Sequence, residues 1–75
     1  MNKEILEIVI ESLKEEIETC RTAGSKVLQI IYNVETEEER ESAEKELKEL
    51  NEMDDGYVTA LRHFVKKYKQ LIGEE

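Results

Sequence analysis

The chain has 75 residues, a formal net charge of −8, one cysteine, one histidine and no proline, and 40% of its residues are charged. An intramolecular disulfide is excluded, and the lone histidine with no cysteine cluster leaves the usual donors of a structural metal site missing. The acidic balance argues against direct binding to nucleic acid or an anionic membrane, and no apolar run is longer than Ile8-Val9-Ile10, far short of the roughly 20 residues that cross a bilayer.

Glu- and Lys-rich composition without proline predicts one all-α domain spanning residues 1–75. The beginning of the chain lacks the apolar stretch of an export signal, so the cytoplasm is the expected compartment. Leu6, Ile10, Leu13, Ile17, Cys20, Gly24, Val27, Ile31 and Val34 follow one another at alternating steps of four and three. That spacing is the seam of a helix packed along another helix, and it predicts a first helix over about 3–33. The β-branched run Val27-Leu28-Gln29-Ile30-Ile31-Tyr32 also suits a strand, but no second strand is available to pair with it.

Thr36, followed three residues later by Glu39, has the form of a capping box. The hydroxyl accepts from the Glu39 N–H, and the Glu39 carboxylate reaches back to the Thr36 N–H. Glu37, Glu38 and Glu39 suit the positive end of a helix dipole, so a second helix is predicted over about 37–72. Its seam runs Ala43, Leu47, Leu50, Asp54, Tyr57, Leu61, Phe64, Tyr68 and Leu71, with Asp54 the one charged member. Glu41/Lys45, Glu44/Lys48 and Lys45/Glu49 are expected as i,i+4 ion pairs on the outer face. Lys66, Lys67 and Lys69 complement the C-terminal end of the dipole, and Gly73 terminates the helix.

Two long helices joined by so short a link lie antiparallel, as a hairpin. The alternative is a three-helix bundle with breaks near Gly24, where Ser25 would cap the next helix, or at Asp54-Asp55-Gly56. Counting outward from the link, facing residues have numbers summing to about 70. Leu13 then meets Tyr57, Ile10 meets Leu61, Leu6 meets Phe64, Gly24 meets Leu47, and Ile17 lies by Met53 and Asp54.

The apolar surface of the first helix is wider than this seam. Ile5, Ile8 and Val9 broaden it at one end, and Val27, Leu28, Ile30, Ile31, Tyr32 and Val34 at the other, where residues 37–46 offer only Ala43 in return. Surplus apolar surface marks association, and four such side chains are worth roughly 6–12 kcal/mol before association costs. The reading is a non-enzymatic interaction or regulatory module whose partner is another protein, first of all a second copy, in a homodimeric four-helix bundle.

Charge is uneven: residues 1–34 have net charge −2, residues 35–55 have −8 and residues 56–75 have +2. The acidic face made by Glu37, Glu38, Glu41, Glu44, Glu49, Glu52 and Asp55 supports an alternative reading. In it the chain is an acidic decoy, such as a phage- or plasmid-borne inhibitor, occupying the basic groove of a nucleic-acid-binding protein.

Other residues have plainer readings. Cys20 lies on the seam as a small hydrophobe without the basic, exposed setting of a reactive thiol. His63 has Thr59, Ala60, Lys66 and Lys67 at helical spacing and no metal-binding neighbour among them. The glutamate clusters read as solvated helix faces. Ala23-Gly24-Ser25-Lys26 lacks the preceding strand and the second glycine of a phosphate loop. No catalytic, cofactor-binding or metal-binding residue is expected.

Overall fold

The computed structural model describes residues 2–73. They form two antiparallel helices, α1 (Lys3–Asn33) and α2 (Glu37–Ile72), in a rod of 55 × 17 × 14 Å. Each helix end has a local cause. The Asn2 side chain accepts from the Ile5 N–H at 2.9 Å and starts α1. Val34 leaves the helix with extended backbone while its N–H donates to the Ile30 carbonyl at 3.0 Å. The Thr36 hydroxyl accepts from the Glu39 N–H at 3.2 Å and starts α2. This is one half of the expected capping box; the return bond from the Glu39 carboxylate is not formed. Gly73 ends α2 in the left-handed region, φ 83°, which favours glycine.

The expected hairpin boundaries hold, and the three-helix alternative does not. Ser25 donates its hydroxyl to the Arg21 carbonyl at 3.1 Å instead of capping a new helix, and α1 runs on through Gly24. Thr59 makes the same bond to the Asp55 carbonyl at 2.9 Å, and α2 runs on through Gly56. Residues 27–32 are helical.

Both seams face inward. Leu6, Ile10, Ile17, Cys20 and Gly24 of α1 are buried, and Leu13, Val27, Ile31 and Val34 are half-buried. On α2 Ala43 is buried, Leu47 through Tyr68 of the seam are half-buried, and Leu71 is exposed. One neighbouring helix covers only one side of a seam, so most of its large residues keep a solvent-facing side. Gly24 does face Leu47, with room to spare: an added Cβ would lie 3.7 Å from Leu47 Cδ1, an ordinary van der Waals contact.

At the open end, side-chain contacts run about one turn further along α2 than the count from the link gives. Leu6 shares a hollow with Lys67, Gln70 and Leu71, and Ile10 one with Val65, Tyr68 and Lys69. The reason is side-chain direction. Helical side chains lean toward their own N-terminus, so in an antiparallel pair α1 side chains lean toward the open end and α2 side chains toward the link.

Candidate interaction surface

Two polar bridges cross between the helices. The Tyr68 hydroxyl donates to Glu7 Oε1 at 3.0 Å, and Arg21 Nε donates to Asp54 Oδ1 at 3.3 Å. Glu7 and Arg21 are two heptads apart on α1, as Asp54 and Tyr68 are on α2, so the two bridges repeat one geometry on one flank of the hairpin. Asp54 is therefore neither a turn residue nor stranded on an apolar seam. It is half-buried and held by Arg21.

The other flank is built differently. Following the helical period outward from the seam, Ile5, Val9, Ala23 and Ile30 of α1 and Met53 and Ala60 of α2 lie on it, together with Glu16, Glu46 and Lys67. Among the described residues no hydrogen bond or ion pair crosses this flank between the helices. Ile5, Ile30 and Met53 are 47%, 53% and 48% exposed.

The nine apolar residues singled out from sequence divide into two groups. Ile5, Ile8, Leu28, Ile30 and Tyr32 are exposed, Tyr32 most of all at 82%, whereas Val9, Val27, Ile31 and Val34 are half-buried within the hairpin. Ile8 points away from the partner helix. Met53, Leu71 and Ile72 are exposed apolar residues that the sequence reading did not single out. The signal for Leu71 and Ile72 was helix length: α2 has 36 residues against 31 in α1, so its last turn overhangs.

Glu37, Glu38, Glu41, Glu44, Glu49, Glu52 and Asp55 are all exposed. None of the expected pairs Glu41/Lys45, Glu44/Lys48 and Lys45/Glu49 closes; among the described residues the ion pairs are Lys14–Glu11 and Arg21–Asp54, both at 3.3 Å. Long exposed side chains gain little from pairing in water and lose rotamer freedom by it. Cys20 is buried. His63 is exposed and lies edge-on to Phe64, with ring centroids 5.2 Å apart.

Among the described residues no three His, Cys, Asp or Glu side chains are grouped as a metal site requires, and no helix is long and apolar enough to cross a membrane. The hollow lined by Glu15, Glu18, Thr19, Thr22, Ala23 and Lys26 lies on α1 alone, with no second element to roof it. No protein-family model, curated protein or solved structure matches the chain.

Proposed function

We propose that this chain is a cytoplasmic, non-enzymatic protein-interaction module that acts through its apolar helix faces and associates with a second copy of itself. The observation that carries this reading is surface left over. The hairpin exposes 5931 Å², whereas a compact monomer of 8.8 kDa exposes about 4,800 Å². Its radius of gyration is 16.8 Å, against about 11 Å for a compact 75-residue chain. The excess, roughly 1,100 Å² per chain, exceeds the ~800 Å² that each partner contributes to a standard interface. Exposed Ile5, Ile30 and Met53 make part of that surface apolar. The test is sedimentation of the parent and an Ile5→Ser/Ile30→Ser variant over a dilution series. The parent is expected to dimerise, and the variant to dissociate at least tenfold more readily with its helix content retained. Equal self-association of the two chains, or a parent that stays monomeric, would overturn the reading.

A second reading has its own support: the seven carboxylates of the acidic face are exposed, and the lysines expected to pair with Glu41, Glu44 and Glu49 do not close on them. As an acidic decoy, the chain would bind the basic groove of a nucleic-acid-binding protein with strong salt dependence. Replacing Glu37, Glu38 and Glu41 with glutamine would abolish that binding, whereas Ile30→Ser would leave it intact.

A further inference from the structure

We infer that the second copy packs antiparallel on the unbridged flank, with α1 lying on the partner's α1 and α2 on the partner's α2. The inference rests on the self-association proposed above and adds its face and orientation.

The choice of flank follows from the bridges. Glu7, Lys14, Arg21 and, at the link end, Leu28 line the α1 side of the bridged flank, and Glu7 and Arg21 are already engaged with α2. An apolar interface there would have to desolvate these charges. The opposite flank offers Ile5, Val9, Ala23 and Ile30 along α1, interrupted at the same spacing by Glu16, with Met53 and Ala60 beside them on α2 between Glu46 and Lys67. Among the described residues its charges are unpaired across the hairpin and free to meet those of a second copy. The long side of the rod measures 55 by 17 Å, an outline large enough to hold the ~800 Å² that each partner buries in a standard interface.

Orientation follows from charge. Two hairpins can pack face to face about a twofold axis that runs either along the rod or across it. An axis along the rod sets the two links side by side and brings together two 35–55 segments, each of net charge −8. An axis across the rod separates those segments by nearly the rod's length. It also places the glutamates that begin α2 beside the lysines near its other end in the partner, with Glu39 roughly level with the partner's Lys67 on the shared flank.

The same operation fits the apolar ends together. About the middle of α1, residues pair when their numbers sum to 36, the sum of its end residues Lys3 and Asn33. Ile5 then falls by the partner's Ile31 and Ile30, and Val9 by the partner's Val27. The surplus that each chain carries at one end covers the surplus at the other end of its copy. One like-charge contact comes with this geometry, because Glu16 lies near the axis and approaches the partner's Glu16.

The test is a spin-label distance across the dimer, with a nitroxide on Glu35→Cys in a Cys20→Ala background whose helix content matches the parent. The antiparallel dimer places the labels about 50 Å apart, close to the 55 Å length of the rod, whereas hairpins packed with their links side by side, at 8–10 Å between helices, place them under about 25 Å apart. A long distance supports the inference. A short one overturns it while the self-associating module stands, and no dipolar signal at concentrations well above those needed for association overturns both. Glu16→Gln supplies a readout that damage to the fold cannot mimic: it should tighten the antiparallel dimer severalfold at low salt. Unchanged or weakened association would count against this axis.

Discussion

The two halves of α1 carry the same heptad seam and meet very different surroundings. In the open-end half, Leu6, Ile10 and Ile17 are buried and Leu13 half-buried, facing a stretch of α2 whose seam holds Tyr57, Leu61, Phe64 and Tyr68; burial continues only through Cys20 and the small Gly24. In the link half, Val27 and Ile31 are only half covered and Leu28 and Ile30 are exposed, because α2 answers them with glutamates and a single alanine. Spacing alone fixes which way a residue faces. Burial is decided by what the facing helix brings, and a half that brings too little leaves apolar side chains exposed.

The largest effect should come from the covered half. Leu6 is 2% exposed, and Leu6→Ala should cost about 2–5 kcal/mol in urea unfolding, the range for a buried leucine. Ile8→Ala, on the same turn but 66% exposed, should change stability by less than about 0.5 kcal/mol. A similar loss at both sites would erase the contrast between faces.

At the link, Thr36→Ala removes the acceptor for the Glu39 N–H and should cost about 1 kcal/mol, measured the same way. Thr36→Asp should retain most of it.

In the middle of α2, an added Cβ at Gly56 would meet nothing within 4 Å. Gly56→Ala should therefore stabilise the chain by about 0.5–1 kcal/mol, seen as a higher unfolding midpoint. Destabilisation would mean that α2 bends or breaks at this point.

The smallest effect belongs to the bridge at Arg21 and Asp54. Arg21 is largely solvated, its side chain 67% exposed. A double-mutant cycle of Arg21→Ala and Asp54→Ala should give a coupling of about 0.2–1 kcal/mol. Zero coupling would leave the register of the hairpin to packing alone.

Much of the fold was legible because its determinants are local. The four–three spacing set both helices, Thr36 and Gly73 marked two ends, and the short link forced the antiparallel arrangement. Asp54 was visible as an oddity but not explained, since its partner Arg21 lies 33 positions away and reaches it by a lean of side chains that counting from the link does not include. The surface was legible in part. Leu28 and Ile30 stand off the seam and read directly as exposed, whereas the cover over Val9 and Val27 depends on how closely the helices approach. The outer ion pairs failed for an energetic reason: spacing permits them, and solvation makes them hardly worth forming.

The central claim is that the link half of α1 is completed by another chain. Amide hydrogen exchange tests it most directly, because protection tracks local opening. At concentrations low enough to hold the chain monomeric, amides of residues 27–33 should exchange much faster than those of residues 9–20. At high concentration the two groups should converge, as the second copy covers the link half. Equal protection of the two halves in the monomer, or fast exchange over 27–33 at every concentration, would contradict the account.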